Sequence, residues 1–219
     1  MAPQRSRLLY AGFSAAVAAL LLFGYLANEV LRGETLRFDS FVRNTVHSWA
    51  SPALTYAMRG VTQLGAPRFL IVLSLVLILW LAKMGRKRAA ILLVVAAAGA
   101  VALEELLKLV FHRPRPEAYF GYPLPSTYSF PSGHAISSCC FYGVLAAIVT
   151  ARMRSRGAKI AVWTAAALLA ALIGLSRIYL GVHYPSDVAA GYAVAVIWVA
   201  ALRASYGAWL RRSSRALSR

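Results

Sequence analysis

Apolar, uncharged runs alternate with short basic or mixed segments along the whole chain. They cover Leu8 to Ala27, Phe69 to Ala82, Ala89 to Leu103, Ala135 to Ala151, Ile160 to Ser176 and Val188 to Leu202. A helix needs roughly 20 apolar residues to cross a bilayer, so the shorter runs are expected to extend into the polar residues beside them. The pattern predicts an all-α integral membrane bundle of six transmembrane helices. The first run is longer than the roughly 7 to 15 residues of a signal-peptide core and lacks a small-residue cleavage site after it, so it is expected to be retained. Between the first two runs, Phe38, Phe41, Val42, Val46 and Trp49 recur at helical spacing, with Arg37, Asp39, Arg43, Asn44 and His47 on other faces. This predicts an interfacial helix over about 38–50, which either helps guide a lipid inward or simply caps the bundle. No repeat, low-complexity tract or long linker divides the chain, and residues 1–219 are read as a single domain.

Composition agrees with the pattern: 60% of the 219 residues are hydrophobic and 14% charged, too apolar for an ordinary soluble domain. The net charge of +17 raises the question of nucleic acid, and the distribution of charge answers it. With the N-terminus inside, Arg5 and Arg7, the segment from Lys83 to Arg88, the segment from Arg152 to Lys159, and the tail from Arg203 to Arg219 all fall on the cytoplasmic side. Together they hold fifteen of the 24 Lys and Arg residues, so both termini are expected in the cytoplasm and nucleic acid is not expected as a partner. In a bacterial plasma membrane the other face is periplasmic or extracellular. Cys139 and Cys140 are adjacent in an apolar run and suit helix packing, not a disulfide framework or spaced metal ligands.

Chemistry concentrates at the outer ends of the spans, where Lys108, Arg115, His134, Arg177, His183 and Asp187 lie. The middles of the spans are nearly free of charge, unlike ion-coupled carriers, which place ionisable sites near the midplane. His183 and Asp187 stand four residues apart in GVHYPSD, with Pro185 placed to open a helix. A carboxylate bonded to one imidazole nitrogen fixes the tautomer and frees the other nitrogen to attack; by itself the same spacing also describes a structural pair or a helix cap. In SFPSGHA, Pro131 suits a first helical turn, Ser132 offers a hydroxyl, Gly133 allows close backbone approach, and His134 can protonate a leaving oxygen. In KLVFHRPRP, Pro114 and Pro116 end regular helix, so Lys108 and Arg115 can converge on an oxyanion from helix and loop. Arg177 adds a third cation, although each cation alone also reads as a snorkelling side chain. His47 and His112 are expected to be structural or interfacial.

Taken together these residues resemble the type 2 phosphatidic acid phosphatases, whose pattern is K-x6-RP, then PSGH, then SR-x5-H-x3-D. Lys108 with Arg115 and Pro116, Pro131 through His134, and Ser176, Arg177, His183 and Asp187 match every specified position. The matched region runs from about 108 to 187. The resemblance implies metal-independent hydrolysis of a phosphomonoester or diphosphate on a membrane lipid through a phosphohistidine on His183. Asp187 would orient that histidine, and His134 would serve as acid and then base. Lys108, Arg115, Ser132, Gly133 and Arg177 would bind phosphate, with no metal and no cofactor. Polyprenyl (undecaprenyl) diphosphate is the favoured substrate, with phosphatidate or phosphatidylglycerol phosphate as alternatives. A lipid phosphotransferase, a vanadate-dependent haloperoxidase and a non-enzymatic lipid transporter remain as other classes.

Overall fold

The computed structural model describes residues 2–216, with side chains described over 12–205. The terminal Arg5, Arg7, Arg211, Arg212, Arg215 and Arg219 side chains lie outside the described residues. Among the described residues the secondary structure is helical: α1 (Ala2–Arg32), α2 (Leu36–His47), α3 (Pro52–Gln63), α4 (Pro67–Lys83), α5 (Lys87–Phe111), α6 (Gly133–Thr150), α7 (Arg156–Tyr179) and α8 (Pro185–Ala216). Five segments, Gly12–Arg32, Lys87–Phe111, Gly133–Thr150, Arg156–Tyr179 and Pro185–Ser205, are long and apolar enough to cross a membrane.

The remaining expected span differs in construction. It falls in α4, which has 17 residues. Helices α3 and α4 meet the length and apolarity requirement together, as one path bent by 46°. Pro67 supplies no N–H to continue α3, and Ala66 before it is extended at φ −68° and ψ 138°. Gly65 lies so close to the Ile173 side chain that a Cβ would collide with it. The Leu64 carbonyl at the break accepts a hydrogen bond from the Tyr142 hydroxyl at 2.8 Å, which removes the cost of leaving it bare in an apolar layer.

Ile71, Val72, Leu75, Val76 and Leu79 of α4, and Ile91, Val94 and Val101 of α5, are exposed, as suits helices solvated by lipid. Burial in such a bundle depends on close packing more than on a hydrophobic drive between helices. Helix α6 is the central post, packed against α4, α5, α7 and α8. Small buried residues, Ala135 and Ala146 on α6 with Ala190, Ala193 and Ala195 on α8, let the backbones approach. Leu70, Leu81, Leu93, Phe141, Val144 and Ile148 fill the space among α4, α5 and α6.

Helix α2 lies between the first two expected spans. Val46 is buried and Val42 packs with it, whereas Phe38, Phe41 and Trp49 point outward. Asp39, expected on another face, is fully buried because Arg113 and Ser186 reach it there.

Candidate active site

Pro185 opens α8, where its missing N–H costs no helical bond, and this places Asp187 in the first turn with His183 in the turn just before it. His183 Nδ1 lies 3.3 Å from Asp187 Oδ2. The same carboxylate oxygen accepts from the Tyr184 N–H at 2.9 Å and the Ser129 hydroxyl at 2.5 Å, and Oδ1 accepts from Arg113 at 2.6 Å. On the other side of the ring, Nε2 stands 3.0 Å from Arg115. A guanidinium only donates, so Nε2 is the acceptor, and the ring proton sits on Nδ1 facing Asp187. Burial pulls the His183 imidazole down to about 4; Asp187 opposes the fall, and the Arg115 and Arg177 charges add to it. The ring is neutral at pH 7 and keeps a lone pair on Nε2.

Arg115 stands against that nitrogen, the Arg177 charge also acts on the ring, and Lys108 shares the Thr127 hydroxyl with Arg115. Lys108, in the last turn of α5, is buried, paired with Glu104 and 3.5 Å from the Thr127 hydroxyl. Arg115 is held by the Thr127, Tyr128 and Val182 carbonyls at 2.7, 3.1 and 3.0 Å. Burial foremost, with the Arg177 charge adding to it and Asp187 and Glu104 opposing, lowers it to about 10, leaving it charged at neutral pH. Arg177 ends α7, bonds the Thr62 hydroxyl at 2.7 Å and packs over the Tyr122 ring at 5.6 Å.

Helix α6 begins at Gly133, so Pro131 precedes the helix instead of occupying its first turn. The Ser132 N–H donates to the Asp187 carbonyl at 3.0 Å, which ties the start of α6 to the start of α8. Among the described residues the buried Ser132 hydroxyl and Arg177 Nε have no hydrogen-bond partner. Buried polar atoms are rarely left so, and both belong to groups suited to an anion at a helix N-terminus. The edge of the His134 ring is at Gly65, and His134 is near enough to Arg177, His183, Arg115 and Lys108 for their charges to act on it. Lys108, Arg115, Ser132, Gly133, His134, Arg177, His183 and Asp187 therefore lie at one end of the bundle.

No motif marks a second layer behind this one. Arg113 donates to Ser186 at 2.8 Å, Asp187 at 2.6 Å, Thr35 at 2.9 Å and Asp39 at 2.7 Å. Asp39 in turn accepts from the Ser186 N–H at 3.0 Å and hydroxyl at 2.7 Å. Glu104 lies one helical turn before Lys108, a spacing at which an ion pair is legible on any helix. Asp39 carries no such local signal. His112 caps α5 in the left-handed region at φ 44°, and His47 stacks on Tyr119 at 3.9 Å; neither reaches His183. Cys139 and Cys140 are free thiols. Among the described residues no three His, Cys, Asp or Glu side chains group as a metal site.

A multispanning helical bundle with a histidine–carboxylate pair facing a cationic, helix-capped recess defines a class of membrane phosphatases. Residues 89–211 match the PAP2 superfamily, and the chain belongs to it. It is classed accordingly as a PAP2-type lipid phosphate hydrolase in the membrane. The chain is 29% identical over 185 residues to Phosphatidylglycerophosphatase B of Bacillus subtilis, covering 83% of this chain and 89% of that protein. It is 32% identical over 111 residues to the Undecaprenyl-diphosphatase of Sulfolobus acidocaldarius, covering 48% and 50%. The crystal structure of a transmembrane PAP2-type phosphatidylglycerolphosphate phosphatase from Bacillus subtilis superposes with a TM-score of 0.81 at 26% identity, covering 88% of this chain and 96% of that one.

Proposed function

We propose that this protein removes phosphate from a membrane lipid phosphate through a phosphohistidine formed on His183. The observation that carries the reading is the ring's orientation: Nδ1 on Asp187 and Nε2 on Arg115. Nε2 attacks phosphorus and the P–O bond to the lipid breaks, with His134 delivering a proton to the departing oxygen. His134 then takes a proton from water, whose oxygen displaces the imidazole and releases inorganic phosphate. Lys108, Arg115, Arg177, the Ser132 hydroxyl and the Gly133 N–H hold the phosphoryl oxygens, so the charge a metal would supply comes from side chains and backbone.

The site faces the periplasm or cell exterior and both termini the cytoplasm, a topology supported by the basic residues around the α4–α5 and α6–α7 turns. Those turns meet at the far end of the bundle, where Arg86 bonds the Ile148 carbonyl at 3.2 Å. The whole chain, 1–219, acts as one domain. Phosphatidylglycerol phosphate is the first substrate to test, because the similarity to a phosphatase of that name extends over most of both chains. Polyprenyl diphosphate is second, supported by the similarity to an Undecaprenyl-diphosphatase over about half of each chain. The experiment is phosphate release from a panel of both lipids and phosphatidate, in detergent and without divalent metal, for wild type, His183→Ala and His134→Ala. Release abolished in His183→Ala, with a base-stable, acid-labile phosphoenzyme trapped in the wild type, is expected. Release that survives His183→Ala in a folded protein would sink the mechanism.

A further inference from the structure

Glu104 is the anion at the site that no motif accounts for. Its carboxylate pairs with Lys108 and rests against Gly133, the first residue of α6, so closely that a Cβ there would collide with it. Its side chain is 14% exposed, and its charge reaches Arg115. Glu104 also lines the end of a groove of about 430 Å³ formed by apolar residues of α4, α5 and α6, including Leu70, Leu75, Val101 and Phe141. The carboxylate thus sits at the junction of a lysine, an arginine and a helix N-terminus, the surroundings that favour a phosphoryl group. Two anions cannot both be held there without repelling each other across a few ångströms of protein.

We infer that Glu104 is a resident competitor of the substrate's phosphoryl group. It occupies the Lys108 side of the recess when the site is empty, swings toward the apolar groove when phosphate binds, and pairs with Lys108 again when inorganic phosphate leaves. The inference rests on the reading of Lys108, Arg115, Ser132 and Gly133 as the phosphate site. It adds a function for the carboxylate: Glu104 weakens the hold on product and so limits product inhibition. A purely supportive Glu104, which merely aims Lys108 at phosphate, has the opposite consequence, because its loss would weaken phosphate binding.

The test is equilibrium binding of inorganic phosphate to the full-length protein in detergent at fixed pH and ionic strength, alongside product inhibition of lipid hydrolysis. Glu104→Gln should bind phosphate about tenfold or more tightly than wild type, with the inhibition constant falling by a similar factor. Glu104→Asp, which keeps the charge, should stay within about threefold of wild type. Unchanged or weaker binding by Glu104→Gln, or equally tight binding by Glu104→Asp, would overturn the inference. If Glu104→Gln unfolds, Glu104→Ala carries the same comparison. Wild type that binds phosphate while neither charge-removing variant binds it more tightly defeats only the competitor role. No binding by wild type or variants defeats the phosphate-site reading, and the inference with it.

Discussion

Two sets of cations share one end of this bundle, and they differ in what their donors meet. Arg113 is surrounded by two carboxylates and two hydroxyls, all within 2.9 Å, so its charge is neutralised inside the protein. Arg115 and Arg177 meet carbonyls, hydroxyls and rings; those groups satisfy geometry without cancelling charge. Arg113, held between two carboxylates, is scaffold. A cation held by neutral dipoles is fixed in place and still positive, which is the preorganisation that a developing negative charge requires. The Ser132 hydroxyl and Arg177 Nε, buried without partners, belong to the second set.

Substitutions can separate the two sets. The largest effect is expected at Arg113: Arg113→Ala leaves Asp39 and Asp187 buried without their partner and should cost about 3–5 kcal/mol of stability. Thermal unfolding in detergent measures this, and a wild-type midpoint with weakened phosphate binding would reverse the assignment. Arg115→Ala should lower kcat/KM by roughly 10²–10³ while moving the unfolding midpoint little, because its bonded partners are carbonyls, a hydroxyl and the neutral His183 ring, so no buried carboxylate loses a bonded counter-ion. If the protein unfolds instead, the distinction between the sets collapses. Ser132→Ala should reduce kcat/KM by about tenfold with unchanged or slightly higher stability, since an unpaired buried hydroxyl is removed.

The smallest effect concerns pH. In the proposed mechanism the neutral His183 ring is the nucleophile, and it is pulled down to about 4, so protonation would inactivate it only as pH falls through that value. Near pH 5 the His183 contribution to kcat/KM should be down by only about a tenth, whereas an unperturbed histidine titrating near 6.5 would be almost fully protonated there. A pH profile of kcat/KM, corrected for the substrate's own titration, checks this. The same shift bears on stability with a definite sign: the unfolded chain takes up the proton first, so the native state loses this contribution as pH falls from about 6.5 towards 4.

The apolar runs announce the membrane and the helices, and the motif spacing collects His183, Asp187, His134 and the three cations, because each signal is local in sequence. The Asp39–Arg113 contact spans 74 positions, and nothing near either residue says that they meet. The burial of Asp39 on helix α2 has a physical reason that its spacing does not show. Its aromatic residues sit at helical spacing, but in lipid an outward-facing Phe38 or Phe41 is well solvated, and the buried face is free to carry a charge that has a partner. The α3–α4 path escapes a reading by run length because Tyr56, Arg59 and Gln63 interrupt apolarity, while Ser51, bonded to the Leu54 N–H at 3.3 Å, with Pro52 after it, starts a helix regardless. The Glu104–Lys108 pair was legible by spacing alone; its position against Gly133 was not.

The bond from Asp39 through Arg113 to Asp187 joins side chains from three widely separated stretches of the chain, the last of them at the start of α8. During insertion, as the ribosome delivers one helix after another, a partly synthesised protein already owns Lys108, Arg115, Ser132 and Arg177 but has no carboxylate to hold the proton of His183. A chain ending before Pro185 would carry the proposed phosphate-binding residues without the carboxylate that the proposed mechanism needs. On the proposed mechanism, the pair that would break the phosphate bond is complete only once the start of α8 has joined the bundle.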